Sequence, residues 1–323
     1  MTIEVRGLRK SYGGAAVLDG IDLTVPAGTV LALLGPNGAG KTTVVRILST
    51  LARADGGTAR VCGHDVATEP DAVRAVIGVT GQACAVDDLL TGTENLVLMT
   101  DLRHLGRRRG RALAAELLAR LDLTEAAGRT VATWSGGMRR RLDIAMTLVG
   151  DPRVIFLDEP TTGLDPRSRR DVWRIVRELV AGGVTVFLTT QYLEEADQLA
   201  DRVALLDHGR IVAQGTAEEL KRRIPGGHVR LRLADADAVR AATAALPGAA
   251  PDDEALTLRV PGDGTPASLR ALLDRLEASA VPVDALTVHT PDLDDVFLTL
   301  TGHAAGGTPS GRPAGEFSKA VTP

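Results

Sequence analysis

The apolar residues of this chain follow two periods. Val30-Leu31-Ala32-Leu33-Leu34, Val154-Ile155-Phe156-Leu157 and residues 184–189 are short continuous runs, the pattern of strands covered on both faces. Ile3-Glu4-Val5-Arg6 and Ile21-Asp22-Leu23-Thr24-Val25 alternate instead, as strands with one wet face do. Together they predict an α/β core with parallel central strands and an antiparallel β edge, over residues 1 to about 86 and 149–218. Between these stretches the period lengthens. Leu113, Leu117, Leu118 and Leu121 share one helical face, and residues 88–148 read as mainly helical. Pro225-Gly226-Gly227 then punctuates the chain. Beyond it, residues 228–233 and 256–260 alternate, and residues 237–246 and 267–276 read as helices. Residues 283–288 and 291–300 complete an approximate strand-helix repetition, which predicts a small C-terminal α/β accessory domain. The expected organisation is a main domain over 1–220, an accessory domain over 221–302 and a flexible glycine- and proline-containing tail over 303–323.

Candidate chemistry enters at the end of the first buried run. Gly35-Pro36-Asn37-Gly38-Ala39-Gly40-Lys41-Thr42-Thr43 lies between that strand and a helix start, the context a phosphate-binding loop requires. Its glycines permit a tight loop whose N–H groups converge on phosphate oxygens. The helix start adds orphan donors and the positive end of its dipole. Lys41 is expected to reach the β- and γ-phosphates and the Thr42 hydroxyl to ligate Mg²⁺, while Thr43 supports the loop or touches the α-phosphate. The run 154–157 delivers Asp158 and Glu159 to its carboxyl end, where open α/β sheets place ligands. Asp158 suits Mg²⁺, directly or through water. Glu159, one residue further along, suits the attacking water.

These motifs, with Trp134-Ser135-Gly136-Gly137-Met138 between them, resemble the ATP-binding cassette (ABC) superfamily. Within it they look like the daunorubicin/doxorubicin-resistance type of exporter ATPase subunit. The resemblance covers residues 2–302, most strongly up to 220. It implies a P-loop NTPase fold of the ABC type: an α/β core with an antiparallel β edge subdomain, a helical subdomain over about 88–148 and a small C-terminal α/β accessory domain. ATP and Mg²⁺ are the implied ligands, held by the whole loop from Gly35 to Thr43. The resemblance implies that Tyr12 stacks on adenine and that Gln82 senses the γ-phosphate and Mg²⁺ beside a membrane partner. Ser135, Gly136 and Gly137 match the signature loop, which in the family docks on the γ-phosphate held by the other subunit; Met138 stands where many members carry glutamine. Asp165, in Gly163-Leu164-Asp165-Pro166, matches the loop that couples the two sites across a dimer.

Plainer readings stand beside these. Tyr12 also reads as a surface residue, and Ser135 and Asp165 as N-caps of the helices that follow. Arg139, Arg140 and Arg141 oppose the dipole of such a helix, a cost that phosphate, acidic groups, a partner or solvent can offset. At Gln191 the chain departs from the common family pattern, which has histidine. A glutamine amide can donate a hydrogen bond but cannot gain a proton near neutral pH. Glutamine is what the drug-resistance subgroup leads one to expect, and it leaves Glu159 as the main catalytic base.

The 323 residues allow one substantial domain with a smaller one attached. A formal charge of -4 gives no reason to expect a nucleic-acid partner. No apolar run reaches membrane-spanning length, and the chain opens on a strand rather than a signal peptide. The chain is therefore expected to be made in the cytoplasm, and the resemblance implies the cytoplasmic face of the cell membrane, as a peripheral subunit of a separate integral-membrane permease. One phosphate loop and one signature imply a homodimeric pair. Arg103, Arg107, Arg108, Arg109 and Arg111 suit anionic headgroups, an acidic permease loop or plain solvent. Cys62 and Cys84 form no metal or disulfide pattern. Two rival functions share the same chemistry: an ATPase for a lipid, polysaccharide or peptide transporter, and a soluble ATP-dependent switch. The chain has neither the long heptad insertion nor the second cassette that familiar switches carry.

Overall fold

The computed structural model describes residues 1–224, 227–252, 255–262, 265–279, 281–289 and 292–301. The expected boundary at Pro225-Gly226 and the expected tail over 303–323 lie outside these residues.

Two sheets build the main body. One is antiparallel, in the order β2 (Ala15–Val25), β1 (Ile3–Tyr12), β4 (Gly56–Val61), β5 (His64–Asp65). The other runs β10 (Arg210–Gly215), β9 (Arg202–Asp207), β3 (Val30–Leu34), β8 (Thr185–Thr190), β7 (Val154–Asp158), β6 (Ile77–Thr80), with only β10 antiparallel to its neighbour.

The continuous apolar runs follow from two-sided burial. Val30, Ala32, Leu34, Ile155, Leu157, Val186 and Leu188 point into a core shared with helices, while Leu31, Leu33, Val154, Phe156 and Phe187 point into a core shared with the antiparallel sheet. Phe156 and Phe187 pack there at a 5.6 Å ring separation. Each such large apolar side chain contributes roughly 1.5–3 kcal/mol by leaving water.

Helix α1 (Lys41–Leu48) follows β3, and α2 (Pro70–Val76) precedes β6. The helical part holds α3 (Gly92–Leu102), α4 (Arg107–Arg120) and α5 (Gly136–Leu148). Leu117, Leu118 and Leu121 are buried in the helix-side core and Leu113 packs at its margin. Helix α6 (Pro166–Ala181) links β7 to β8, and α7 (Leu193–Leu199) and α8 (Ala217–Lys221) follow β8 and β10.

The C-terminal body is a second α/β unit of different construction. It runs β11 (His228–Arg232), α9 (Ala236–Ala245), β12 (Ala250–Asp252), β13 (Thr257–Pro261), α10 (Pro266–Ala278), β14 (Ala285–His289). The sheet order β12-β13-β11-β14, antiparallel throughout, is the ferredoxin-like arrangement. Val229, Leu231, Leu258 and Val260 face its own core, and Arg230, Arg232 and Arg259 face outward. Strand β12 went unpredicted because its three residues, Ala250-Pro251-Asp252, carry no alternation.

The last helix, α11 (Leu293–Thr301), departs from the strand-helix repetition. Leu293, Val296 and Phe297 join the helix-side core of the main body, against α7 and α8. Helical spacing predicts a buried face in Leu293, Val296 and Phe297, but not which body receives it.

Candidate active site

The phosphate loop is shaped by glycine geometry at one position above all. Gly40 has φ 110°, and a Cβ there would stand 2.7 Å from Leu18 Cδ2 and 3.0 Å from the Val17 carbonyl oxygen. A side chain at this point would push the loop away from β2, so the entry to α1 depends on glycine. Lys41, first residue of α1, turns back over the loop. Its Nζ donates to the carbonyl oxygens of Gly35 at 2.8 Å and Pro36 at 3.2 Å, and lies 3.3 Å from Glu159 Oε1. Burial lowers the Lys41 pKa, and the carboxylates of Glu159 and Asp158 oppose the shift. The buried ammonium group is thus shared between the loop carbonyls and the Glu159 carboxylate.

Asp158 and Glu159 separate at a strained turn. Glu159 has φ 48°, the left-handed region, which costs a non-glycine residue on the order of 1–3 kcal/mol. Its N–H is shared between the carbonyl oxygen and the hydroxyl of Thr189, both at 3.1 Å. The Thr189 hydroxyl donates to Asp158 Oδ1 at 2.5 Å, and Thr162 Oγ1 donates to Glu159 Oε2 at 3.2 Å. Thr189 thus holds both acidic positions from the next strand. Strand alternation alone would send Glu159 to the opposite side from Asp158; the turn brings it to Lys41.

One cleft is lined by Tyr12, Asn37, Gly38, Gly40, Lys41, Thr42, Thr43, Gln82 and Glu159. Gly35 and Ala39 are buried beneath it, and Pro36 is half-buried. Tyr12 is exposed on its rim with Lys10 Nζ 5.1 Å from the ring centroid, so it is both a surface residue and a cleft residue. The Thr42 hydroxyl and the Asp158 carboxylate are hard oxygen donors of the kind Mg²⁺ takes.

Gln82 and Glu159 also line a second, adjoining cleft, with Gly136, Arg139, Arg140 and Leu164. Ser135, Gly136 and Gly137 do not line the Lys41 cleft. Ser135 is the N-cap of α5, its hydroxyl accepting from the Met138 N–H at 3.3 Å. Gly137 lets α5 press on α6, since a Cβ there would lie 2.6 Å from Ser168 Cβ. Asp165 caps α6, accepting from the N–H groups of Arg167 and Ser168 at 3.0 Å each and from the Ser168 hydroxyl at 2.7 Å. These bonds, the Ser168 hydroxyl first, hold its carboxyl below the ordinary range. Gln191 follows β8 directly; the preceding Thr190 carbonyl accepts from the Gly35 N–H at 3.3 Å, which sets it beside the phosphate loop but outside the lining of the Lys41 cleft.

The three arginines of α5 find their compensation inside the chain. Arg139 pairs with Asp88, and Arg141 donates to the carbonyl oxygens of Leu121 and Asp122. Arg140 is buried. It donates to the carbonyl oxygens of Pro160, Gly81 and Asp158 at 2.9, 2.9 and 3.1 Å, and pairs with the equally buried Asp143 at 3.0 Å. Asp143 in turn accepts from the Ala85 N–H at 3.1 Å. Burial raises its pKa, and the Ala85 bond and Arg140 oppose that. This one guanidinium ties the signature helix to the turn after β7 and to the loop of Gln82. Sequence reasoning weighed all three arginines alike; the (i, i+3) pairing of Arg140 with Asp143 on an otherwise apolar helix face was the available signal. Thr189 was read only as the end of a strand.

A family model described as "ABC transporter" matches residues 18–162. The daunorubicin/doxorubicin resistance ATP-binding protein DrrA of Streptomyces peucetius is 53% identical over 94% of this chain and 93% of its own length. The chain belongs to the ABC transporter ATP-binding proteins, in the daunorubicin/doxorubicin-resistance branch. The doxorubicin resistance ATP-binding protein DrrA of Mycobacterium tuberculosis (strain ATCC 25618 / H37Rv) is 47% identical over 93% of this chain and 94% of its own. The Nod factor export ATP-binding protein I of Ralstonia nicotianae is 38% identical over 93% and 94%. Among solved structures, an ATP-binding subunit of an ABC transporter superposes with TM-score 0.62 and 27% identity, over 69% of this chain and 93% of that one. Membership of this family makes the chain a nucleotide-binding, ATP-hydrolysing cassette.

Proposed function

We propose that this chain is the ATPase subunit of a drug exporter, working as a homodimer beneath a separate integral-membrane permease at the cytoplasmic face of the membrane. The observation that carries the dimer is the division of the site. Lys41, Thr42, Gln82 and Glu159 share one cleft, while Ser135 caps α5 away from it. A second copy supplies the helix start that completes the phosphate cage. The drug cargo follows from the resistance proteins that match nearly the whole chain.

In this mechanism Lys41 and the loop N–H groups neutralise phosphate charge. Thr42 and Asp158, with Gln82 beside them, would hold Mg²⁺, which supplies further neutralisation of the phosphates when bound. Glu159 orients the attacking water and accepts its proton, with Thr162 holding the other carboxylate oxygen. Gln191 donates its amide toward the γ-phosphate. Dimer closure favours ATP over ADP, and that difference in binding is what moves the permease. Arg107, Arg108, Arg109 and Arg111 are exposed at the start of α4 and enter no ion pair among the described residues, which suits an acidic permease loop or lipid headgroups at that end of the helical part.

The test is recovery of Glu159→Gln with ATP and Mg²⁺ from mildly solubilised native membranes, followed by mass spectrometry. A stoichiometric polytopic permease is the expected partner. Soluble partners alone, with no membrane association, would replace the exporter with an ATP-dependent switch. Similarity to the Nod factor export protein supports a second cargo class for the same machine. Drug stimulation of ATPase activity in the reconstituted complex separates the two.

A further inference from the structure

Glu195 takes no part in the chemistry above, yet it is fully buried on α7. Its Oε1 accepts from Trp173 Nε1 at 3.2 Å. The hydroxyls of Thr161 and Thr190 lie beside the same carboxyl, but Oε2 and Thr161 Oγ1, both shielded from solvent, make no aligned hydrogen bond. These neighbours come from three different segments of the main body. Thr161 follows Glu159-Pro160, Thr190 precedes Gln191, and Trp173 rides on α6, the helix capped by Asp165. Burying a carboxyl costs several kcal/mol if it stays charged, so a protein keeps one in an apolar core only where its bonds matter.

We propose that Glu195 is a positioning residue for ATP hydrolysis, its carboxyl bonded to the Asp165 helix through Trp173 and buried against the threonine hydroxyls that flank the Glu159 turn and Gln191. The inference rests on the ATPase chemistry of the family and not on the identity of the cargo. When the three segments move together, the water held by Glu159, the amide of Gln191 and the dimer contact at Asp165 reach their working positions at once.

The surroundings work against the charged form of this carboxyl. From α6 the only cation facing the carboxyl is Arg169, which is engaged with Glu194 at 3.3 Å and lies over the Tyr192 ring at 5.2 Å. β8 contributes the Thr190 hydroxyl and the turn after β7 the Thr161 hydroxyl, neither of them charged. Burial dominates and pushes the Glu195 pKa up; the two hydroxyls, Trp173 and Arg169 pull the other way with less effect. A protonated carboxyl can accept from Trp173 through one oxygen and donate to a threonine hydroxyl through the other. Its contribution is complete below the ordinary glutamate range and is lost as pH rises through the raised folded pKa.

The test compares Glu195→Gln, Glu195→Ala and Trp173→Phe in the full chain, measuring kcat, ATP affinity, thermal midpoint and the pH profile. Glutamine reproduces the neutral donor and acceptor, so Glu195→Gln is expected to keep kcat within about twofold and to lose the alkaline fall of the wild type. Glu195→Ala is expected to lower kcat by about 10- to 100-fold with ATP affinity nearly unchanged, because the Lys41 loop is untouched. If that variant does not fold, Trp173→Phe replaces it, with a several-fold loss of kcat at unchanged affinity. Wild-type kcat in whichever of the two is folded, or an alkaline limb with the same midpoint in wild type and Glu195→Gln, as deprotonation of Lys41 alone would give, overturns the proposal. If the ATPase reading itself were wrong, the wild type would hydrolyse no ATP, a result distinct from either.

Discussion

The two α/β bodies of this chain bury apolar side chains in the same way and treat polar ones oppositely. In the main body Lys41, Arg140, Asp143, Asp158, Glu159, Thr189 and Glu195 are all buried. Among the described residues of the C-terminal body, no polar or charged side chain is buried. Its sheet instead turns Arg230, Arg232 and Arg259 to the outside, with Arg230 and Arg259 directly opposite in register. Parallel strands covered on both faces end in loops that sit partly inside the protein, where a charge is strong because water is scarce. An antiparallel sheet covered on one face leaves its charges in solvent, where they are weak. Buried charge, rather than charge, marks the working part of this molecule.

The comparison breaks first where the buried charges are removed. Lys41→Ala is expected to abolish productive ATP use. Glu159→Gln should retain ATP binding while lowering turnover by about 10²–10⁴-fold, the usual worth of a positioned base. Wild-type hydrolysis by Glu159→Gln would remove the assigned base. Next in size is Arg140→Met, which strands Asp143 and frees three carbonyl groups. Loss of one partner from a buried pair costs about 3–5 kcal/mol, readable in denaturant unfolding. Arg230→Gln, the same charge lost from the open sheet, is expected to leave the unfolding midpoint unmoved. Equal effects from the two arginines would end the contrast. Leu231→Ala tests whether the second body has a core of its own. It should destabilise that body by about 2–5 kcal/mol while nucleotide affinity stays at the wild-type value, as a binding isotherm would show. Among changes at the candidate site the smallest is expected from Gln191→His, a few-fold shift in kcat in either direction, since both side chains can donate to phosphate. Complete inactivation by that substitution would show that the position is not a permissive donor.

Much of the site was legible because its motifs are local. The phosphate loop needs Gly40 next to Lys41 and Thr42, and a strand of five apolar residues before it, all within one short stretch. The dual roles of Ser135 and Asp165 were half-legible: each caps its helix as the residue type predicts, while the coupling across a dimer stays a proposal. Arg140, Thr189 and Glu195 were not legible as site residues. Apart from the Arg140–Asp143 pair, their partners lie far along the chain, Pro160 for Arg140 and Trp173 for Glu195, and no period or spacing connects them. The placement of α11 failed for the same reason. An amphipathic helix shows that it has a buried face and not which surface receives it.

The strand–loop–helix units, the glycine loop before α1, the acidic pair after β7 and the alternation that separates one-sided from two-sided sheets are therefore all written in short stretches of the chain. Each depends on residues within a few positions of one another, where backbone geometry and side-chain period act directly. Folding in three dimensions is what turns Glu159 back to Lys41 through a left-handed backbone, lets one arginine join its helix to two loops, and returns the final helix to the main body. These are contacts between distant segments, selected because a buried charge must find a partner and an apolar face must find a cover.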